Sequence, residues 1–310
     1  MLYPPRPSRQ LLLTELPIDV LSLIFSNLNI SEKINVRKSS KSLRNVINMD
    51  RLHISHAKLL IFPNSATFQY DDGILRAPVD TVEGADYIQY TLNEFKHVMS
   101  HPRVTVEKLT VQCNKLVEGG YEKLENCIKS QQFSVKSAHL DLWSSSSILP
   151  YLAPGILESI DIKGDQEAKE NCRMMKKLME LEQWKMVQSV KFNGCRFPNP
   201  FDYLFNVEGF HVQATSLKKR HLEKIRDITY RSHNFESCII ELRSIDKLLE
   251  TIVDVFNYAI LTVQGGSEYL CYAVSPSGAK ITIRVNSKLN GGGWMEIERV
   301  REKVTGRSWV

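Results

Sequence analysis

Leu16-Pro-Ile-Asp-Val-Leu-Ser-Leu-Ile-Phe-Ser-Asn-Leu28 is the stretch from which the architecture is read, with Ile30-Ser-Glu-Lys-Ile34 and Ser39-Ser-Lys-Ser-Leu-Arg-Asn-Val-Ile47 behind it. It predicts three short helices. Pro17 has its φ fixed near the helical value and suits a first helical position, while Asp19 falls in the first turn, where a carboxylate meets the positive end of the helix dipole. Asn27 to Ser31 supply a break, and Ser31 is expected to cap the second helix. Leu16, Val20, Leu21, Ile24, Phe25 and Leu28 recur at helical spacing. They make an apolar face wider than two short neighbours can cover, so the spacing predicts burial by something further, either the rest of this chain or another protein.

The order of these residues, Leu16-Pro17-x-Asp19-Val20-Leu21-x-x-Ile24-Phe25-x-x-Leu28, then Ile34-x-Val36-Arg37-Lys38 and Leu43-Arg44-x-Val46-Ile47, resembles an F-box. The resemblance implies docking on a Skp-type adaptor, which links such chains to a cullin-RING ubiquitin ligase. Carried over position by position, Leu16 and Pro17 open the adaptor-binding motif, and Val20, Leu21, Ile24, Phe25 and Leu28 form its apolar ridge. Asp19 keeps the first-turn charge where Glu is commoner in the family, and Ser39 and Leu43 stand where many members have Cys and Trp. A helical cap on the following domain is the other reading of the same residues.

At 310 residues and 43% hydrophobic, the chain is long enough for one small and one larger domain. No apolar run approaches the roughly 18 residues that cross a bilayer, and the Pro-rich start has no signal-peptide core. The expectation is a soluble protein of the cytoplasm, the nucleus or both. Cys113, Cys127, Cys172, Cys195, Cys238 and Cys271 form no CxxC pair and sit among apolar neighbours, which predicts buried, reduced thiols. The net charge of +5 is mild and spread out. Its densest run, Lys218-Lys-Arg-His221, reads as the solvated side of a helix over 216–228 whose buried side holds Leu217, His221, Leu222 and Ile225. Arg37, Lys38, Lys41 and Arg44 are assigned to the third N-terminal helix. No aromatic interleaving accompanies either run, so nucleic acid is not the expected partner.

Beyond residue 100, strand-like pieces recur: Val106 to Val111, Lys136 to Leu142, Leu157 to Ile162, Val187 to Phe192, Val207 to Val212 and Cys238 to Leu242. Their central apolar residues, Leu109, Leu140, Ile160, Val190, Phe210 and Ile240, are spaced 31, 20, 30, 20 and 30 apart. Helical patterns lie between most of them, at Tyr121 to Ile128, Ala168 to Trp184 and Leu217 to Ile228. Strand, turn and helix in units of this length imply a parallel sheet. An irregular leucine-rich-repeat-like α/β domain has this periodicity, although no Asn or Cys ladder recurs, and an ordinary α/β layer is the alternative. Near the C-terminus, Tyr269 to Val274, Lys280 to Val285 and Trp294 to Val300 alternate with period two between Pro and Gly turns, which predicts an antiparallel meander capping the sheet. The resulting division is a disordered arm over 1–10, the three-helix unit over 11–50, a connecting segment with a β-hairpin over 51–100, the α/β domain over 101–265 and the meander over 266–310.

Within the α/β region, Ile148 to Ile160, Leu181-Glu-Gln-Trp-Lys185, Ile225-Arg-Asp-Ile228 and Ser232-His-Asn-Phe-Glu-Ser-Cys238 resemble the FTH domain of nematode F-box A-type proteins. With the F-box, the likeness covers most of residues 14–285, including Asn93 to Val111, and leaves out the last 25. Trp184 ends a helix whose apolar side holds Met174, Met175, Leu178 and Leu181, and a strand starts at about Val187. It is expected to wedge helix against sheet, and Phe235 to do the same before the strand at Cys238.

Enzyme readings find no support. There is no Gly-x-Ser-x-Gly elbow, Ser144 to Ser147 read as a flexible loop, and Gly291 to Gly293 read as a hairpin connection without the features of a phosphate loop. His53-Ile-Ser-His56 brings no third metal ligand at suggestive spacing. No cofactor, metal or catalytic residue is expected. The resemblance implies a substrate-recognition subunit that holds an unknown protein target near a ubiquitin-charged enzyme. A non-ligase interaction scaffold is the alternative, and a nucleic-acid regulator using Lys218 to His221 is a third reading.

Overall fold

The helices at the N-terminus are set by their caps. In a computed structural model that describes residues 12–71, 73–78, 86–129, 131–164, 168–194, 200–204, 206–214, 216–257, 260–264, 268–288 and 291–300, they are α1 (Ile18–Ser26), α2 (Ile30–Ser39) and α3 (Lys41–Ile47). Pro17 stands one residue before the first helical position, and its carbonyl accepts from Leu21 N. The cap of α2 is Asn29 and not Ser31: Asn29 Oδ1 accepts from Glu32 N at 2.9 Å while Glu32 Oε2 accepts from Asn29 N at 2.8 Å. A side chain at position 29 reaches the third helical amide, and one at 31 is already inside the helix. Arg37 and Lys38 belong to α2; only Lys41 and Arg44 of the basic group lie on α3.

The segment after α3 is more than a connector. It forms β1 (Leu52–Phe62), β2 (Ser65–Tyr70) and β3 (Gly73–Pro78), then the long helix α4 (Tyr87–Met99). Alternating β4 (Val104–Cys113), α5 (Gly120–Ile128), β5 (Ser134–Asp141), α6 (Leu142–Ile148), β6 (Ser159–Lys163), α7 (Ala168–Met179), α8 (Glu182–Met186), β7 (Ser189–Asn193), β8 (Gly209–Ala214), α9 (Lys219–Arg231), β9 (Ser237–Leu242) and α10 (Leu248–Phe256) follow. The meander is β10 (Ile260–Gln264), β11 (Glu268–Val274), β12 (Lys280–Ser287) and β13 (Gly293–Arg299).

Among the described residues all thirteen strands form one sheet, in the order β10-β11-β12-β13-β9-β8-β7-β6-β5-β4-β1-β2-β3. Strands β1 and β4 to β9 are mutually parallel, and from β4 to β9 each lies beside its successor in the chain. The β1–β2–β3 hairpins finish one edge and the meander finishes the other, with β13 antiparallel to β9. The turn at Gly291 is the β12–β13 connection, closed by Lys288 N donating to Gly292 O.

The pairing shows a shared arrangement along the parallel strands. Buried side chains fall at i, i+3 and i+5: Ile54, Ala57, Leu59 in β1; Val106, Leu109, Val111 in β4; Val135, Ala138, Leu140 in β5. The same holds for Leu157, Ile160, Ile162 at β6, Val187, Val190, Phe192 at β7, Val207, Phe210, Val212 at β8 and Phe235, Cys238, Ile240 at β9. Two consecutive residues point outward after the first buried one, so a single carbonyl serves two amides of the next strand. Glu158 O accepts from Gln188 N and Ser189 N, and Gln188 O from Glu208 N and Gly209 N. The irregularity is stacked from strand to strand. It also corrects the register: the row through Leu109 contains Ala138 and Cys238, so Leu140 and Ile240 sit one row along.

These inward residues and the apolar sides of α4, α5, α6, α7, α9 and α10 form one cluster, in which Phe95 of α4 meets Phe68 edge-on, with ring centroids 5.3 Å apart. Trp184 is buried and stacked on Phe192 at 5.9 Å, and Phe235 is buried against Phe210. Two sequence readings are corrected here. Ala168 to Trp184 is not one helix, because Glu180 and Leu181 turn the chain between α7 and α8. Ser144 to Ser147 are not a loop: they lie in α6, with Ser144, Ser145 and Ser147 buried, because Asp141 caps the helix by accepting from Ser144 N at 2.8 Å. The arm over 1–10 and the last ten residues lie outside the described residues.

Candidate functional site

Six of the nine residues of α1 are apolar, more than one helix face holds. The excess divides between two sides. Leu21 and Phe25, each 2% exposed, face inward and pack with Leu43, Val46 and Ile47 of α3, with Leu16, Leu28 and Val36 half-buried around them. Val20 (42% exposed) and Ile24 (39%) face outward, joined by Ile18 and by Leu23 at 70%. The ridge read as one surface is therefore two. Leu21 and Phe25 are internal to the helical unit, since residues four apart stack on one side of a helix and α3 already occupies it. Pro17 and Asp19 are exposed beside the outward residues. Ile18 and Leu23 were missed because they fall at variable positions of the motif; the surplus of apolar residues in a short helix was the available signal.

The helical unit is fixed to the sheet domain by buried polar contacts. Arg37 is largely buried: Nη1 donates to His97 O at 2.7 Å, Nη2 to Ser100 O at 3.2 Å and Nε to Asn48 Oδ1 at 2.9 Å. Burial lowers its pKa, with Arg44 adding to the effect. Lys38 pairs with Glu94 of α4. The ring of His101 bridges Ile47 O (from Nε2, 3.1 Å) and Arg103 N (to Nδ1, 3.2 Å), a neutral tautomer whose pKa burial pushes down. Ile34 of α2 joins the main core.

A second surface is the sheet face that the helices leave open. Across it His139 meets Asp161 at 3.3 Å, Asn193 Nδ2 donates to Asp161 Oδ1 at 2.6 Å, and Glu241 accepts from Gln213 Nε2 and contacts His211 Nε2, both at 2.9 Å. Lys136 pairs with Glu107 at 3.0 Å. Partial burial, with Lys108, lowers the His139 pKa against the pull of Asp161. The face carries polar side chains at fixed strand spacing, paired with one another across neighbouring strands.

Cys113, Cys127, Cys238 and Cys271 are buried thiols, and burial, with Asp141 nearby, pushes Cys113 up to about 12. Cys172 and Cys195 lie outside the described side chains. No group of three metal-ligating side chains occurs among the described residues; His53 and His56 are exposed. No described helix is long and apolar enough to cross a membrane. Lys218, just before α9, and Lys219 and Arg220 on its first turn are exposed, while His221, Leu222 and Ile225 are buried.

Comparison with known proteins finds two recognised domains. Residues 13–55 match the F-box domain model and residues 113–259 match the FTH domain model. F-box A protein 224 of Caenorhabditis elegans is 22% identical over 281 residues, spanning 82% of this chain and 71% of that protein. No solved structure matches the chain. The exposed α1 face thus lies in an F-box match and the parallel strands β5 to β9 in an FTH match, and the chain carries both domains.

Proposed function

We propose that this chain is the substrate receptor of a Skp-cullin-F-box ubiquitin ligase. The F-box docks a Skp-type adaptor, and the sheet domain holds a protein target. The observation that carries the reading is the outward apolar face of Val20, Leu23 and Ile24 on a helix whose inward residues, Leu21 and Phe25, are already satisfied. Exposed apolar side chains gathered on one short helix mark a docking site. Pro17 and Asp19 flank it, and Leu16 and Leu28 border it where α1 meets α3.

Catalysis is by proximity. Tethering raises the effective concentration of target lysines at the charged enzyme without a reacting group from this chain. The leucine-rich-repeat-like character of the sheet domain belongs to this proposal and is supported by the i, i+3, i+5 stacking of its strands. The cytoplasm or nucleus is the compartment the proposal requires.

Affinity purification of the full chain under proteasome inhibition, with mass spectrometry, tests both contacts. The adaptor, a cullin and a target are expected together, and removing this chain lengthens the target's half-life. If the adaptor binds and every captured partner keeps its half-life, the ligase role fails and the scaffold reading replaces it.

A further inference from the structure

The helical unit and the sheet domain bury their apolar side chains separately. Leu21, Phe25, Leu43, Val46 and Ile47 form one cluster, and of the buried residues in α1 to α3 only Ile34 joins the main one. The chain crosses the joint between α3, which ends at Ile47, and β1, which starts at Leu52. Apolar contact is non-directional, so a covalent link with this little shared core leaves the two parts free to swing.

What holds them is polar and aimed at the main chain, in both directions. From α2, Arg37 Nη1 and Nη2 donate to His97 O and Ser100 O at the end of α4. From the turn after α4, His101 Nε2 meets Ile47 O at 3.1 Å and Arg103 Nη1 donates to Met49 O at 2.7 Å, at the end of α3 and just past it. Both Arg37 and His101 are buried. The ion pair of Lys38 with Glu94 adds a contact between α2 and α4. Carbonyls at a helix end have no intrahelical donor, and they cannot rotate away as a side chain can. Bonds to them therefore set an angle as well as a separation.

We propose that Arg37 and His101 are positioning residues for ubiquitin transfer: they lock the F-box at one angle to the sheet domain, and so determine which lysines of a held protein meet the charged enzyme. The inference rests on the substrate-receptor reading and adds how the receptor directs the reaction. In the transfer a lysine amine attacks the thioester carbonyl of the charged enzyme, an isopeptide bond forms, and the enzyme's thiol leaves with the proton of the amine. Arg37 and His101 touch none of these atoms. Their effect is on the effective concentration of each lysine, which is high at a few positions when the angle is fixed and falls when the same tether sweeps a larger volume. An apolar joint would adhere with less desolvation; a polar one specifies orientation.

Self-modification of the full chain tests this without a known target. The chain, bound to a Skp-type adaptor and a cullin-RING assembly with the ubiquitin-charged enzyme, is its own acceptor, and mass spectrometry maps and times the modified lysines. The wild-type chain is expected to be modified at a restricted set. Arg37→Ala and His101→Ala retain the adaptor, spread modification over further lysines and slow it at the leading one roughly tenfold. His101→Gln, whose amide can still donate to Ile47 O, keeps the wild-type set. Gln183→Ala, which removes buried hydrogen bonds far along the chain from the joint, keeps it too, so a spread confined to the joint variants is separate from general loosening. Absence of modification in the wild-type assembly overturns the receptor reading and this proposal with it. An even spread in the wild-type chain, an unchanged set in both Arg37→Ala and His101→Ala, or the same spread in Gln183→Ala overturns the positioning role alone.

Discussion

Arg37 Nη1 donates to the His97 carbonyl at 2.7 Å, a contact that ties the second F-box helix to the last turn of α4. A guanidinium at a helix C-terminus meets carbonyls that have no intrahelical donor and the negative end of the dipole. Nη2 and Nε are engaged in turn by Ser100 O and Asn48 Oδ1. One buried side chain therefore joins α2, the residue after α3 and the end of α4.

Arg37→Ala is expected to destabilise the chain by about 3 kcal/mol, because it leaves buried acceptors unmatched. Arg37→Lys recovers only part of this, since an ammonium cannot reproduce the planar fork. Denaturant unfolding, with protection of the α4 amides by hydrogen exchange, measures both.

The two sides of α1 separate in mutagenesis. Ile24→Asp or Leu23→Asp changes stability by no more than about 0.5 kcal/mol, as exposed substitutions do, yet abolishes co-purification with a Skp-type adaptor. The double replacement of Leu16 and Pro17 also abolishes it. Phe25→Ala costs about 3–5 kcal/mol through the cavity it leaves. Thermal melts run beside pull-downs distinguish them, and adaptor binding retained by Ile24→Asp removes the assignment.

Gln183 is buried, and its Nε2 donates to Leu152 O at 2.8 Å and Pro150 O at 3.2 Å. Gln183→Ala is expected to cost about 2 kcal/mol. Trp184→Ala, which empties the stack on Phe192, costs about 3–5 kcal/mol. Urea midpoints give the order.

Gly293 begins β13 opposite Ser287, and a Cβ there would collide with the Asn286 carbonyl oxygen. Backbone cannot yield as a side-chain tip does, so Gly293→Ala is expected to lose several kcal/mol. Amide exchange in β12 and β13 rises first.

Stability falls with acidification below about pH 6.5, the ordinary histidine value. His97, His101, His139 and His221 all have lowered pKa values in the folded chain, with burial the largest cause. The unfolded state therefore binds more protons through this range, and stability rises with pH. Each such group contributes a slope of at most about 1.4 kcal/mol per pH unit between the unfolded value and its own lower one. His101→Gln, whose amide can still donate to Ile47 O, makes the dependence shallower. Melting curves between pH 7.5 and 5 record it.

The parallel strands were legible because a strand buried on one face keeps its apolar spacing whatever surrounds it. The register was less legible: alignment on the central apolar residues picks Leu140 and Ile240, whereas backbone pairing places Ala138 and Cys238 in the row through Leu109. Helix α6 was hidden by four serines, which favour turns until a cap and a packed surface overrule them. The inward and outward parts of α1 were equally opaque, for the helical period says which residues share a side and not which side α3 takes.

Because the strands from β4 to β9 follow one another in chain order, and the F-box is bolted beside the start of β4, position across the sheet is also distance from the F-box. Each strand adds about 4.8 Å, so a ligand gripped at β9 sits roughly 24 Å farther out than one gripped at β4. On the receptor proposal the sheet is a ruler, and where a target lands on it sets which of its lysines come within reach.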